Sequence, residues 1–509
     1  MKPEDSPNDG NELKTSVRIE GNHPTKDQTD STIRPDHPAI RLNPHGELDG
    51  NRSQAEKERS CVKEHSLFEQ VLERENLQRA WKQVKANKGA PDIDGMTIEE
   101  FSQFIRKHWE TIQTKLRDGN YRPSPVKRIY IPKPDKPYEK RPLGIPTILD
   151  RVIQQAIAQI LSPLYEPNSS DSSHGFRPCR SAHGAIKQWQ KQSQKRRRRC
   201  YVVDCDLKSF FDTVDHQKLM NRLRQRTDDK ALLRLIGYYL KAGLILPNGS
   251  YEETCIGMPQ GGPLCPLLAN ILLDELDKEL EVRGHQHVRY ADDFLILCGS
   301  PRAGDRILRS ISRYLNRHMK LMVNETKSKV VELSEASFLG FSIIKRKVRW
   351  TGQSKRRFKK SVRMITKRTR GVSPVKVIRD LQLYTRGAIN YYMPGLHFQE
   401  ARDLDQWLRR RVRLYYWKQW GRPRTRRRNL LKLGICRSEV HKASRSRKGP
   451  WRLTNTSIVI RAMTNQWLSD QGVPAGEGSI EQQWINIRYP DGPKQKVKAG
   501  RKVQGDLKV

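Results

Sequence analysis

Two adjacent carboxylates, Asp292 and Asp293, stand in Tyr290-Ala291-Asp292-Asp293, with Val288 before them and Phe294-Leu295-Ile296-Leu297 after. The flanks are rich in β-branched and aromatic residues, which predicts two strands of a hairpin with the acids at its turn. Burying one carboxylate without a partner is costly, and two like charges side by side raise each other's pKa. Divalent cations relieve both costs, and the chemistry that wants Mg²⁺ on carboxylates is phosphoryl transfer. An isolated Asp-Asp is more often a solvated turn, so a third acid upstream matters. Tyr201-Val202-Val203 is a short apolar run that ends in Asp204-Cys205-Asp206-Leu207. Residues two apart on a strand share a face, so Asp204 and Asp206 point the same way and one of them suffices to reach the pair. Lys208-Ser209-Phe210-Phe211-Asp212 then turns into a helix.

The composition names the kind of partner. The chain has 509 residues, which suggests two or three domains, and a net charge of +41 with a pI near 10.1. That excess points to a polyanion bound in a salt-sensitive way. Residues 341–450 hold 33 Lys+Arg against 5 Asp+Glu, +28 of the total, with aromatics interleaved. Residues 1–60 run the other way, at a net of −3, and their polar, aromatic-poor composition reads as disordered. Eight cysteines form no C-x-x-C pair, which supports neither a zinc knuckle nor a disulfide framework and fits a reducing compartment. The N-terminus lacks an apolar signal core and no run of ~20 apolar residues exists, so the chain reads as cytosolic with no membrane partner.

The elements that must hold the acids follow from spacing. Leu67, Val71, Leu77, Ala80, Trp81 and Val84 fit helical periodicity over 64–88. Thr97 and Glu100 form a capping-box pattern at the start of another helix. Residues 126–147 read as a β-hairpin carrying positive charge, followed by a helix over 149–161. Residues 355–435 read as helices, one of them Gln406 to Trp420, where Trp407, Leu408, Leu414, Tyr415 and Trp417 alternate with arginines. A further apolar segment lies around Ile458-Val459-Ile460 and Trp467-Leu468, and the last twenty residues are polar.

Against that frame the motifs resemble those of group II intron-encoded reverse transcriptase/maturases, in the bacterial type without an HNH endonuclease. Asp206 to Asp212 resembles their motif A. Gly257-Met258-Pro259-Gln260-Gly261-Gly262 and the run to Asn270 resembles motif B, and Tyr290 to Asp293 resembles motif C. Residues 64–101 resemble the family's N-terminal extension, with Asp92 where a glycine is usual. His174 to His183 resembles a second fingers motif, with Cys179 in place of a glycine. Residues 321–328 and 338–341 resemble the last palm motifs. The resemblance covers roughly residues 65–470.

It implies an α+β right-hand polymerase, fingers and palm with an antiparallel palm sheet, then an α-helical thumb, the maturase X domain. The domains it sets are 1–60 as a polar extension, 61–345 as fingers and palm, 346–440 as thumb, and 441–509 as a basic segment that finishes the thumb or binds DNA. Asp206, Asp292 and Asp293, with the carbonyl of Leu207, would hold two Mg²⁺ ions about 4 Å apart for an in-line displacement. Lys133 and Arg141 would grip the incoming dNTP, Phe211 would exclude a ribose 2′-hydroxyl, and Gln260 would contact nucleotide or template. Lys327 would stand near the phosphates. Arg177 and Arg180 would touch template backbone. Arg409, Arg410, Arg413, Arg426 and Arg427 would meet RNA through phosphate forks, while the interleaved aromatics form core.

The implied function is RNA-directed DNA synthesis combined with intron splicing. Its partners would be group II intron RNA, an RNA template, a DNA primer or target, and dNTPs, in the bacterial cytoplasm or nucleoid. Two other readings stand beside it: an RNA-binding splicing cofactor with a vestigial polymerase, and a domesticated reverse transcriptase in DNA repair or phage defence. The intact acids weigh against the first, and Ala291 weighs modestly against the second. The sequence leaves the oligomeric state open.

Overall fold

Ser66 caps the first helix: its side chain accepts from the Glu69 amide and starts α1 (Leu67–Leu72). The single periodic stretch over 64–88 becomes two helices, because Glu73 is extended (φ −56°, ψ 138°) and α2 (Arg74–Ala86) starts afresh after it. The computed structural model describes residues 66–87, 89–90, 92–133, 136–195, 200–473 and 479–488, so the reading of residues 1–60 falls outside the described residues. Thr97 and Glu100 do form a capping box on α3 (Ile98–Arg117).

The charged hairpin is β1 (Val126–Lys133) and β2 (Lys136–Ile145), antiparallel, with Ile131 opposite Arg141 and an irregularity at Pro132/Lys133. Thr147 then caps α4 (Ile148–Tyr165), whose Asp150 is buried. That carboxylate accepts from Tyr121 (2.7 Å), Thr147 (2.7 Å) and the Ser124 amide (3.2 Å). One acid thereby ties the base of the hairpin to the helix behind it.

The palm follows. After α5 (Ala182–Lys195) come β3 (Tyr201–Cys205), α6 (Phe210–Thr213), α7 (His216–Arg224) and α8 (Lys230–Leu240). Short strands β4 (Leu244–Ile245) and β5 (Tyr251–Glu252) extend the fingers sheet, β4 running parallel to β1. Helix α9 (Cys265–Val282) leads to β6 (His287–Tyr290) and β7 (Asp293–Cys298), then α10 (Pro301–Tyr314) and β8 (Lys329–Glu332). The palm sheet has the order β6-β7-β3-β8, and every neighbouring pair is antiparallel. Strand β3 lies inside the sheet and is covered on both faces. Val203 and Cys205 join Phe294 and Ile296 in one core, and Val202 joins Val288, Leu295 and Leu297 in another under α5. A strand covered on both faces reads as continuous apolar sequence, as Tyr201-Val202-Val203 does.

A hairpin, β9 (Phe341–Ile344) and β10 (Lys347–Trp350), ends the palm. Helices α11 (Gly352–Ile365), α12 (Pro374–Tyr392), α13 (Phe398–Gln419), α14 (Pro423–Lys432) and α15 (Arg437–Ser444) build the thumb. Four more follow: α16 (Pro450–Leu453), α17 (Ser457–Ala462), α18 (Asn465–Asp470) and α19 (Ile480–Arg488). The boundary expected at residue 440 does not separate two cores. Leu453, Val459, Leu468 and Ile480 share one apolar cluster with Leu408, Val412 and Trp417, so these residues beyond 440 help to complete the thumb's interior. Each such side chain, fully buried, stabilises by about 1.5–3 kcal/mol. The result is an α+β molecule with a fingers hairpin, an antiparallel palm and a helical thumb. Among the described residues no helix is long and apolar enough to cross a membrane.

Candidate active site

Register alone brings the acids together. Cys205 on β3 is opposite Phe294 on β7. One step beyond each, Asp206 leaves β3 exactly where Asp293 begins β7, and neighbouring antiparallel strands lie about 5 Å apart. Tyr290 pairs with Asp293, so Ala291 and Asp292 are the two turn residues between β6 and β7. Ala291 is left-handed (φ 58°), which costs a non-glycine residue roughly 1–2 kcal/mol.

The pair feels its own charge. Burial raises the Asp292 carboxyl above the usual carboxylate range, and the Asp206 charge adds to the rise, while Arg141 and Lys327 oppose it. Asp293 keeps contact with solvent, yet crowding by protein and then the charges of Asp292, Asp206 and Asp204 push it up to about 6. Asp204 also rises to about 6, chiefly through burial. Asp206 is held differently. Its Oδ2 accepts from Asn324 Nδ2 (3.0 Å) and Lys327 Nζ (2.9 Å). Its amide donates to Ser328 Oγ (3.0 Å), and its carbonyl accepts from the Asn324 amide (2.8 Å). Leu207 is buried and bridges to Val323.

Carboxylates this close suit dications, which would neutralise the charge that raises Asp292 and Asp293. Among the described residues no three such side chains converge on a single point that could hold one ion. In this arrangement the Lys327 ammonium supplies positive charge at Asp206.

A loop of glycines braces the site from the fingers side. Ser209 is left-handed (φ 46°) and starts α6, so half-buried Phe211 follows a sharp turn after Asp206. The Met258 amide donates to the Phe211 carbonyl (2.6 Å), and the Gly144 amide donates to the Gln260 carbonyl (2.6 Å). Gly261 (φ 137°) passes so close to Gly144 that a Cβ would collide with its carbonyl oxygen. The Pro259-Gln260-Gly261 loop therefore stitches the Phe211 turn to β2, which carries exposed Arg141. Lys133 ends β1; its side chain is outside the described residues.

Two arginines expected at nucleic acid are instead internal fastenings. Arg177 is buried and donates to Glu166 (2.8 Å), Ser173 O (2.9 Å) and Ser170 O. The loop that precedes it leaves carbonyls that need a donor, and Arg177 supplies five N–H groups. Arg413 is buried too and donates to Met463 O (2.8 Å) and Asn465 Oδ1 (3.2 Å), fixing α13 to the α17–α18 turn. Arg180 pairs with exposed Asp171 (2.6 Å). Arg409 pairs with fully buried Asp405 (2.7 Å). Arg410 lies 3.9 Å over the Trp451 ring and donates to its carbonyl, and Arg426 lies 5.1 Å from the Trp417 ring. Arg427 is exposed.

Sequence reasoning missed Asn324 and Ser328, which grip Asp206, and the buried trio Asp277, Asn270 and Arg289 behind the turn. Arg289 within the apolar strand His287-Val288-Arg289-Tyr290, and Asp277 beside Leu276 in an apolar helix, were the available signals.

A fingers hairpin, an antiparallel palm with carboxylates at adjacent strand ends, and a helical thumb define a reverse-transcriptase-type polymerase fold. A family model described as reverse transcriptase (RNA-dependent DNA polymerase) matches residues 131–343, and one described as group II intron, maturase-specific domain matches residues 355–434. Protein YkfC of Escherichia coli (strain K12) is 31% identical over 325 residues, covering 56% of this chain and 84% of that protein. Group II intron-encoded protein LtrA of Lactococcus lactis subsp. cremoris is 32% identical over 355 residues, covering 57% of this chain and 58% of LtrA. The putative COX1/OXI3 intron 2 protein of Saccharomyces cerevisiae is 28% identical over 330 residues, covering 52% and 37%. The match thus spans little more than half the length of LtrA. The chain belongs to the group II intron-encoded reverse transcriptase/maturase family.

Proposed function

We propose that this chain is an RNA-directed DNA polymerase and maturase that binds group II intron RNA, assists its splicing and copies it into cDNA. The observation that carries this reading is the register that sets Asp206 beside Asp293 at adjacent strand ends with Asp292 in the preceding turn, where the Asp206 charge reaches both neighbours and Arg141 faces Asp292. The match to both a polymerase and a maturase model on one chain supports the pairing of activities.

Asp206, Asp292, Asp293 and the Leu207 carbonyl are the residues that would hold two Mg²⁺. When bound, such ions supply charge neutralisation at the reacting phosphate and lower the pKa of the attacking hydroxyl. The protein's own residues do the rest. Lys133 and Arg141 bind the triphosphate and orient it. Phe211 fills the space a ribose 2′-hydroxyl would need. Gln260, on a loop pinned at both ends, positions the nucleotide against the template. Lys327 moves from Asp206 toward the phosphates. Positioning and charge complementarity account for most of such catalysis. The exposed thumb arginines, Arg427 among them, meet RNA phosphates.

Primer extension on an RNA template with dNTPs and Mg²⁺ tests the reading. Asp292→Ala is expected to lower cDNA synthesis by roughly a thousandfold or more while RNA affinity holds. Normal synthesis by the variant would sink the site. No cDNA from either protein, with tight RNA binding by both, would return the chain to a splicing cofactor.

A further inference from the structure

We infer that Arg289 is the positioning residue of the Asp292-Asp293 turn, acting with Asp277 and Asn270 to set the spacing of the two carboxylates for divalent cations. The inference rests on the polymerase reading of that turn.

Arg289 is almost fully buried on β6, two residues before Ala291. Its Nε and Nη2 grip Asp277 on α9 at 2.9, 3.0 and 2.5 Å. Its Nη1 donates to Asn270 Oδ1 (2.9 Å) and to the carbonyl of Ala291 (3.0 Å). The guanidinium therefore ends on the backbone of the left-handed residue that adjoins Asp292. Asn270 turns its own amide onto the Gly175 carbonyl (2.7 Å). Gly175 in turn lies so close to the turn that a Cβ there would run into the backbone nitrogen of Ala291. The same fingers loop brackets Arg289 itself: the Arg289 amide donates to Ser172 O (2.8 Å), and the His174 amide donates to Arg289 O (2.9 Å). His287 Nε2 stands 3.4 Å from Asp277 Oδ1.

A buried ion pair is poor value as a source of stability, since apolar residues of similar volume do as well or better. This one reaches past its partner to the turn. Two adjacent carboxylates repel each other, and Ala291 adopts a conformation an alanine disfavours. The Arg289–Ala291 bond and the Gly175 contact hold that turn from two sides. The same trio couples α9, which continues from the Gln260 loop, to the acids. Arg289 touches none of the reacting atoms in this arrangement; it acts through the turn.

Arg289→Lys keeps the charge and the Asp277 pair but loses the forked reach to Ala291. Asn270→Ala leaves the Arg289–Asp277 pair whole and covers the case where Arg289→Lys fails to fold. The measurement is Mn²⁺ binding to the free protein by electron paramagnetic resonance, beside the Mg²⁺ concentration for half-maximal primer extension. Outer partners of metal ligands typically change affinity by 10–100-fold, so Arg289→Lys is expected to weaken Mn²⁺ binding about tenfold and to raise the Mg²⁺ requirement by a like factor. Asn270→Ala should move both in the same direction by about a third of that. RNA affinity should hold, and excess divalent cation should restore synthesis. Arg413→Lys, at a buried arginine far along the chain, should move neither. Unchanged Mn²⁺ affinity per folded molecule in Asn270→Ala, with Mg²⁺ dependence also unchanged, overturns the inference. Weakened Mn²⁺ binding in a protein whose wild type makes no cDNA would keep the positioning role and remove the polymerase reading instead.

Discussion

The palm and the thumb treat charge in opposite ways. At the palm turn, like charges are crowded together and left without full compensation: burial and the Asp206 charge raise Asp292, burial and the charges of Asp292, Asp206 and Asp204 raise Asp293, and Lys327, with Arg141 at Asp292, offsets only part of that. In the thumb, the excess is positive, yet several of its arginines are already spoken for. Arg413 is buried on backbone carbonyls, Arg409 neutralises buried Asp405, and Arg370 pairs with Asp380 at 2.8 Å. Partly compensated like charge has little structural use, so in the palm residue type and spacing single out the proposed site. A guanidinium has many structural uses, so in the thumb the number of arginines overstates the number that meet RNA.

Among variants of the fold's own charges, the largest effect should come from Arg413→Ala. The change strips a donor from the Met463 carbonyl and empties part of the thumb core. It should cost about 2–3 kcal/mol and lower the melting temperature by several degrees. Loss of RNA affinity at 25 °C without any thermal shift would return Arg413 to the RNA surface and weaken the contrast.

Phe211→Ala comes next and tests the palm side. Removing one steric block should cut discrimination against rNTPs by about tenfold, or ~1.4 kcal/mol. Unchanged discrimination with a lowered melting temperature would make Phe211 plain packing against Phe210, whose ring centroid is 5.1 Å away.

Asp293→Asn asks whether the acids are strained without metal. A carboxylate raised to about 6 from its ordinary 3.8 binds its proton more tightly folded than unfolded. Stability therefore falls as pH rises through that window, because ionisation is harder in the folded state. In metal-free protein the asparagine variant should melt slightly higher than wild type above pH 6, and the gain should vanish near pH 4. Lower melting of the variant at pH 7 would mean that the charge is compensated after all.

How far the sequence carried depended on whether a residue's partners were near in sequence or in space. The hairpin, the Thr97–Glu100 cap and the helical thumb rest on local rules, and the structure has them all. The approach of Asp206 to Asp293 needed strand register, which the apolar alternation only implied. The internal places of Arg177 and Arg413 are not legible in the sequence, because their partners, Glu166 with two carbonyls and the Met463 carbonyl, carry no sequence signal of a bound arginine. The break at Glu73 was hidden because both halves keep one apolar stripe. The grip of Asn324 and Lys327 on Asp206 spans about 120 residues and appears only once β8 lies beside β3.

The smallest effect is the sharpest test of the thumb. Arg427 is exposed on α14, a helix with Arg424 and Arg428 on its surface as well. No packing is lost on truncation, so Arg427→Ala should leave the melting temperature where it is. A single phosphate contact releases about one counterion, so the slope of log affinity against log salt should shrink by about 1 and the loss should be uniform across RNA sequences. The expected change at physiological salt is then near 1 kcal/mol. Set against Arg413→Ala, the pair forms a double dissociation: one variant moves stability and not the salt slope, the other moves the slope and not stability. If both variants moved both quantities, burial would not separate the structural arginines from the RNA-facing ones, and the thumb's charge would have to be treated as one diffuse field.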